Sequence, residues 1–338
     1  MEIAADRRDV LAFARAITGG CEDGVTLLAG QASTRRYFRV VTGGSPSTCV
    51  VMQLPAEDRE SPEESYPFLN VQRFLMDRGF AVPKVYQAAI AQGMIGLEDL
   101  GDRTLELAVK ESGDRSEVAV LYKRALSLIG SLQDLGATPD PDCVAFRRRF
   151  DFKLLRWELE HFSEWLLRED RKIRLTDKEE AVVAESFDRI AQELADVPPV
   201  LVHRDFQSRN LMVSGKGEVC VIDFQDALLG PHVYDLVALL RDSYVDLGYP
   251  QVNDLIGEFC VQRGLEEAHT RRLFRLQTVQ RKLKDAGRFV FIDRKRGNPA
   301  FLQSIPLSLK YVRDALSELP EYNELRFVLG KHMPELRS

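Results

Sequence analysis

Three residues with oxygen-bearing side chains, Asp205, Asn210 and Asp223, form the pattern in this chain that is best suited to chemistry. Asn210 follows Asp205 by five residues, and Asp223 closes a short apolar segment. Enzymes that transfer phosphoryl groups use one aspartate to orient and deprotonate the attacking hydroxyl. An asparagine and a second aspartate hold magnesium on the nucleotide phosphates, because Mg²⁺ prefers hard oxygen ligands. The pattern therefore predicts Asp205 as a catalytic base and Asn210 and Asp223 as ligands of Mg²⁺.

The elements that position these residues are predicted from the spacing of apolar side chains. The first hundred residues alternate helices at 3–17 and 67–78 with strands at 25–29, 36–41, 48–54 and 93–98. After residue 103, amphipathic stretches dominate, at 116–135, 145–169, 177–196, 233–246, 251–262, 266–290 and 305–318. Two short apolar strands interrupt them between 199 and 224. We expect an α+β protein with a small β-rich lobe (residues 1–99) and a large, mainly helical lobe (residues 100–338).

The residues around the candidate base resemble a known superfamily. His203-Arg204-Asp205, with Asn210 and Asp223-Phe224 after it, resembles the catalytic loop and metal motif of protein-kinase-like enzymes. The following Gly230-Pro231 and Tyr234-Asp235-Leu236 are similar to the aminoglycoside/choline phosphotransferase branch of that superfamily. This resemblance implies a bilobed protein-kinase-like fold, MgATP as the phosphoryl donor and a small-molecule hydroxyl as the acceptor. It also implies that Asp235 braces the catalytic loop by accepting backbone N–H bonds.

Further matches resemble one group within this branch, the bacterial sugar kinases of cell-wall recycling. They cover segments along nearly the whole chain: 33–39, 51–55, 97–104, 158–165 and 280–289. Those kinases phosphorylate the anomeric hydroxyl of N-acetylmuramate and N-acetylglucosamine. The resemblance implies the same reaction for this chain, with an amino sugar as the acceptor and a sugar 1-phosphate as the product.

The same resemblance implies which residues contact the nucleotide. Ser33 and Thr34 offer hydroxyl and N–H donors to phosphate, and Arg35 offers a guanidinium, whose geometry suits phosphate. Glu98 and Leu100 are expected where backbone groups meet the adenine.

The sequence departs from the superfamily pattern in two ways. Protein kinases grip the nucleotide phosphates with a lysine on the third strand, which pairs with a glutamate on a helix. The third strand here carries Met52-Gln53, and the helix carries Gln72. Because both partners are replaced together, we expect arginines to meet the phosphate charge, and Arg35, Arg36 and Arg209 are the candidates. The second departure is Gln207, where this branch often has histidine.

A basic segment at 281–296 is the candidate for acceptor binding. It carries seven Lys or Arg residues and two Asp residues, with Phe289 and Phe291 interleaved. The structural interpretation of this composition is a solvated helix face with a core stripe. The functional interpretation is a basic wall over an acidic substrate, such as the lactyl carboxylate of N-acetylmuramate or nucleotide phosphate. Arg281 and Lys284 are the predicted contacts.

Composition limits the partners and the compartment. The 338 residues include 46 Lys or Arg and 52 Asp or Glu, a net charge of −6, which disfavours nucleic-acid binding. The five cysteines are widely spaced without a Cys-x-x-Cys pair, as in reducing compartments. No apolar run is long enough for a signal peptide or a membrane span. We expect a cytoplasmic protein, monomeric or weakly dimeric, without membrane partners.

Two alternatives remain open at this level. The acceptor is another small molecule in the first: an aminoglycoside, choline, homoserine or a different sugar. In the second, the protein binds a nucleotide as a regulator without turnover, which the missing lysine suggests. The intact set of Asp205, Asn210 and Asp223 argues against a regulator, because a protein without turnover has no chemical need for all three.

Overall fold

The computed structural model describes residues 2–19, 24–28 and 35–337, and this part of the chain forms two compact units. The amino-terminal unit comprises Met1–Arg103, Asp142–Val144 and Met212–Gln225. The carboxyl-terminal unit comprises Thr104–Pro141, Ala145–Leu211 and Asp226–Ser338.

The amino-terminal unit is built on an antiparallel sheet of five strands in the order β1-β2-β3-β5-β4. These strands are β1 (Val25–Leu28), β2 (Arg36–Val41), β3 (Thr48–Gln53), β4 (Val85–Ala89) and β5 (Met94–Glu98). Two helices accompany them, α1 (Glu2–Thr18) and α2 (Pro67–Asp77). The four strands expected from the sequence are confirmed to within a residue at each end, whereas β4 was not predicted.

The core of this unit follows from two periodicities. Phe38 and Val40 alternate along β2 toward one face of the sheet, as strand geometry requires. Val10, Phe13 and Ala14 of α1 pack on that face at the i, i+3, i+4 spacing of a helix. This apolar layer therefore fixes β2 and its neighbour β3.

The carboxyl-terminal unit is mainly helical. Its helices are α3 (Leu105–Glu111), α4 (Arg115–Gly136), α5 (Phe152–His161), α6 (Asp177–Ala195), α7 (Tyr234–Leu240), α8 (Tyr249–Arg263), α9 (Glu267–Arg296), α10 (Ile305–Ser317) and α11 (Asn323–His332). A π-helix (Phe162–Asp170) continues α5. The predicted α+β class is confirmed.

Four short strands form two further sheets that flank the candidate catalytic residues in sequence. β6 (Pro199–Val202) pairs antiparallel with β9 (Leu228–Pro231). β7 (Leu211–Val213) pairs with β8 (Val219–Val221). The segment between β6 and β7 contains Asp205 and Asn210, and Asp223 follows β8.

The 30-residue helix α9 is the central helix of its unit and packs against α5, α7, α10 and the π-helix. It crosses the end of α5 at Gly287, where an added Cβ would lie 2.2 Å from the carbonyl oxygen of His161. Only glycine permits this approach, so Gly287 sets how closely α9 and α5 meet. No helix of the described residues is long and apolar enough to cross a membrane.

Candidate functional site

The loop after β6 takes its shape from a buried carboxylate on α7. Asp235 is 1% exposed, and its two oxygens accept hydrogen bonds from the backbone N–H groups of His203 (2.6 Å) and Arg204 (3.0 Å). Arg204 lies in the left-handed region, with φ of 78°, a conformation that side chains other than glycine rarely adopt. The two hydrogen bonds that Asp235 accepts hold the loop in this strained turn. Asp205 follows the turn directly.

Asp205 contacts Arg281, which reaches it from α9. One guanidinium nitrogen of Arg281 lies 3.2 Å from Asp205 Oδ1, and another donates to the carbonyl oxygen of Arg204 at 2.6 Å. Arg281 is almost fully buried, whereas the Asp205 side chain keeps 38% of its surface exposed. Burial raises the pKa of Asp205, but the charges of Arg281, Lys284, Arg204 and His203 together outweigh it, so the pKa lies below the ordinary value. Asp205 is therefore an accessible carboxylate in its anionic form.

Asn210 is held at the end of the same loop. Its amide nitrogen donates to the carbonyl oxygen of Asp205 at 2.8 Å, and the side chain is buried. No described residue donates a hydrogen bond to its amide oxygen, so that hard oxygen ligand is available. Asp242, fully buried, accepts the N–H of Ser208 at 2.8 Å and fixes the middle of the loop.

Arg209 projects from the loop to a partner on α3. Its Nε lies 2.6 Å from Glu106 Oε2, and its guanidinium stacks 3.6 Å from the ring centroid of Tyr244. The carboxylate of Glu106 offsets its charge. These contacts tie the loop to α3.

Asp223 belongs to the amino-terminal unit, where it follows β8. Its backbone is left-handed, with φ of 66°, and Gln225 Nε2 donates to its Oδ1 at 2.8 Å. Arg35, in the same unit, lies within its electrostatic reach. Burial lowers the pKa of Arg35, but the charges of Tyr66, Tyr37, Asp58 and Asp223 together raise it above the ordinary value. Asp223 is thus one of the acidic groups whose charge acts on Arg35.

Glu98 and Leu100 lie at the end of β5. Glu98 donates its backbone N–H to the carbonyl oxygen of Lys84 at 2.9 Å. The guanidinium of Arg39 donates two hydrogen bonds, of 2.8 and 2.9 Å, to the carboxylate of Asp99. This contact fixes the backbone between Glu98 and Leu100. No hydrogen bond joins the backbone of Leu100 to any residue of the described part. Ser33 and Thr34 lie outside the described residues.

The two positions without the superfamily's ion pair are both packed inside the amino-terminal unit. Met52 is fully buried in β3. Gln72 is 7% exposed, and its side-chain nitrogen donates to the carbonyl oxygen of Pro83 at 3.0 Å. Gln72 therefore has a structural partner of its own.

The predicted acceptor residues Arg281 and Lys284 are both engaged with aspartates of this chain. Lys284 and its neighbour Lys282 contact the two oxygens of Asp285, at 2.9 and 2.8 Å. The charges of Lys282, Lys284 and Arg281 hold the pKa of Asp285 far below its ordinary range, against the effect of burial. Binding of the acceptor by Arg281 and Lys284 stays a prediction. In the structure both side chains contact aspartates of this chain.

Glu158 was not predicted as a site residue. It is 2% exposed on α5 and accepts hydrogen bonds from Arg204 (3.2 Å) and Gln280 (3.0 Å). It shares the buried face of α5 with Leu155 and Leu159. A carboxylate among apolar residues at helical spacing is the signal that identifies it, since buried charges require partners.

Comparison with known proteins gives three findings. The profile described as "Phosphotransferase enzyme family" matches residues 24–273. The N-acetylmuramate/N-acetylglucosamine kinase of Pseudomonas putida is 31% identical over 329 residues, which cover 93% of this chain and 88% of that protein. The enzyme of the same name from Neisseria meningitidis serogroup B is 33% identical over 299 residues, covering 86% and 84%.

Solved structures share the fold. The choline kinase LicA from Streptococcus pneumoniae aligns with a TM-score of 0.64 at 12% identity, covering 94% of this chain and all of that one. At this identity the likeness shows the fold alone. It confirms the predicted protein-kinase-like α+β fold.

Proposed function

The chain belongs to the phosphotransferase enzyme family, and from this we propose that it transfers the γ-phosphoryl group of ATP to the anomeric hydroxyl of N-acetylmuramate and N-acetylglucosamine. The observation that carries the proposal is the similarity to two kinases of these sugars over at least 84% of each chain. The accessible anionic Asp205, on a loop braced by Asp235, supports it independently.

Asp205 is the proposed general base. It accepts the proton of the acceptor's C1 hydroxyl while that oxygen attacks the γ-phosphorus in line, and the bond to the ADP oxygen breaks. Its pKa is lowered, so it is charged at neutral pH but only weakly basic. An anomeric hydroxyl is more acidic than an ordinary alcohol, and this matches a weak base.

Asn210 and Asp223 are the proposed ligands of Mg²⁺. The donor chemistry fits, because an unused amide oxygen and a carboxylate are hard ligands, and Mg²⁺ commonly takes few protein ligands alongside substrate phosphates. When bound, the ion neutralises charge that develops on the transferred group. Asp223 also keeps its carboxylate oriented through Gln225, whose side chain donates to one oxygen.

Arg35 is the proposed replacement for the missing lysine. Arg209, the alternative, already has the carboxylate of Glu106 at 2.6 Å. Arg35 lies in the unit that contains Asp223, and an arginine there compensates phosphate charge without an ion pair to α2. Ser33 and Thr34 immediately precede it and are proposed as further phosphate donors. The backbone of Glu98 and Leu100 is proposed to receive the adenine.

An acceptor panel tests this function. ADP release is measured with MgATP and N-acetylmuramate, N-acetylglucosamine, glucose, choline or kanamycin as the acceptor. We expect turnover with the two N-acetylated sugars at a kcat/KM well above that of the other three compounds. Preferred turnover of choline or kanamycin contradicts the proposed acceptor but leaves the phosphotransferase activity intact.

A further inference from the structure

Several cations of the basic segment 281–296 contact carboxylates of this chain, whereas the half-buried Arg288 does not. Lys295 is exposed and lies 5.5 Å from the ring centroid of Trp165. Arg281 contacts Asp205, and both Lys282 and Lys284 contact Asp285. Arg294 contacts Asp170 at 3.3 Å. Arg288 is half-buried, yet within the described part of the chain no carboxylate lies at salt-bridge distance from it. Among the cations of this segment, Arg288 is therefore the half-buried one that has no carboxylate in contact.

Arg288 lies beside a group of rings that we call the aromatic cluster: Trp157, His161, Trp165 and Phe291. Its guanidinium stacks 4.6 Å from the ring centroid of Phe291. Phe291 in turn lies 5.0 Å from Trp165 and 6.1 Å from His161, between ring centroids. Trp157 stands 4.4 Å from His161 and is 53% exposed. A partly exposed aromatic surface next to a cation is suited to an amphipathic, anionic ligand.

Arg288 lies beside the aromatic cluster because the helix α9 approaches the end of α5 closely at the preceding residue, Gly287. Because α9 has no side chain at that residue, its backbone meets the end of α5 at His161. The π-helix that follows His161 carries Trp165. Such wide helical turns occur frequently at functional sites.

The position of Arg288 relative to the candidate base follows from helix geometry. Arg281 and Arg288 are seven residues apart on α9, which is two turns on one face and an axial rise of about 10 Å. The charges of Asp205 and Glu158 act on Arg288, although burial together with Arg296 and Arg204 lowers its pKa. This face of α9 therefore leads from the contact between Arg281 and Asp205 toward Arg288.

We propose that Arg288 binds the carboxylate of an acidic sugar acceptor, and that it sets the preference for N-acetylmuramate over N-acetylglucosamine. The inference rests on the proposed function and adds a specificity determinant to it. The two sugars differ by the lactyl ether, which carries the only carboxylate. A guanidinium binds carboxylate through two parallel hydrogen bonds, and partial burial strengthens them. An anionic ligand also supplies the contacting carboxylate that Arg288 lacks within this chain.

Kinetics with both sugars test the proposal. Arg288→Ala is expected to lower kcat/KM for N-acetylmuramate by about 10- to 100-fold, as for one lost charge-assisted interaction, and to leave N-acetylglucosamine unaffected. Arg288→Lys keeps the charge without the fork and should recover part of the loss. Arg275→Ala removes an arginine of the same helix that lies outside the basic segment and pairs with Glu318, and it should change neither sugar.

The outcomes separate this inference from the proposed function. Wild-type protein that phosphorylates neither sugar rejects the proposed function and this inference with it. Active wild-type protein with equal losses on both sugars in Arg288→Ala, or with no loss on either, rejects the role of Arg288 alone. Should the alanine variant be unstable by thermal melting, the ratio of the two sugars in Arg288→Lys decides in the same way.

Discussion

The guanidinium of Arg281 binds the carboxylate of Asp205 and the carbonyl oxygen of Arg204 simultaneously, at 3.2 and 2.6 Å. One buried side chain of α9 therefore holds both the candidate base and the strained residue before it. Arg281 and Asp205 are 76 positions apart in the chain. This contact gives Arg281 a positioning role at the base, in addition to its charge.

Removal of that charge is predicted to shift the pH profile. Arg281 stabilises the anionic form of Asp205, so Arg281→Met raises the pKa of Asp205. Because the base acts only when deprotonated, the acidic limb of kcat/KM should move to higher pH. We also expect kcat to fall by about 10- to 100-fold, since a buried charge-assisted contact is lost. The measurement is kcat/KM with N-acetylglucosamine across pH 4 to 8.

Arg281→Lys is the matched variant, because it keeps the charge but loses the second hydrogen bond. Its acidic limb should stay near that of the wild-type protein while kcat falls. An acidic limb that does not move in Arg281→Met contradicts the electrostatic part of this account.

Asp205→Asn is predicted to remove turnover and preserve nucleotide binding. Asparagine keeps the shape of the side chain but cannot accept the acceptor's proton, and positioned bases contribute about 10²- to 10⁴-fold to rate. The rate is measured by ADP release and the affinity by titration with ATP. Asp226→Asn removes a nearby carboxylate that is 49% exposed and pairs with Arg148 at 3.6 Å, and it should leave the rate unchanged. Retained turnover in Asp205→Asn would contradict the assignment of Asp205 as the general base.

Asp223→Asn is predicted to weaken the dependence of ATP binding on Mg²⁺. Asparagine tolerates the left-handed backbone at this position, so the change removes a charge with little strain. ATP affinity is measured by titration with and without Mg²⁺. Wild-type protein should gain affinity from the ion and the variant should gain much less. An identical gain in both proteins rejects Asp223 as a ligand.

The crossing of α9 over α5 is predicted to depend on Gly287. Gly287→Ala places a methyl group 2.2 Å from a backbone oxygen and should destabilise the protein by about 1–3 kcal/mol. Gly257→Ala, in the helix α8, meets only the ends of the Arg271 and Glu267 side chains, at 3.5 and 3.8 Å. It should stabilise by up to about 1 kcal/mol, as alanine does inside helices. Urea unfolding midpoints compare the two variants, and equal midpoints would show that the close approach at Gly287 is absent.

The sequence predicts the local elements well where one periodicity dominates. Strand β2 has its predicted bounds, and the buried Phe38 and Val40 alternate with the partly exposed Arg39 within it. β4 was missed because it is an edge strand whose side chains are only partly buried, so it carries little alternation. The stretch predicted as helical from 145 begins as α5 only at Phe152, where Asp151 accepts the N–H of Leu154 at 2.8 Å as an N-cap.

The pairing of Arg281 with Asp205 was beyond sequence reasoning. Asp285 follows Lys284 directly in the chain, whereas nothing local indicates that the distant Asp205 engages Arg281. The helix α9 also continues past its predicted end at residue 290 to Arg296. The prediction stops short because the last turn of the helix is charged and lies outside the apolar pattern. Tertiary contacts decide such positions. Arg288 becomes distinct from its basic neighbours only when those contacts are known.

The position of the phosphate in the product tests the central claim most directly. Wild-type protein is incubated with MgATP and each N-acetylated sugar, and the product is examined by phosphorus–proton NMR correlation. We predict coupling of phosphorus to the anomeric proton at C1 for both sugars. Phosphate on any other hydroxyl, or ATP consumption without a phosphorylated sugar, would contradict the account.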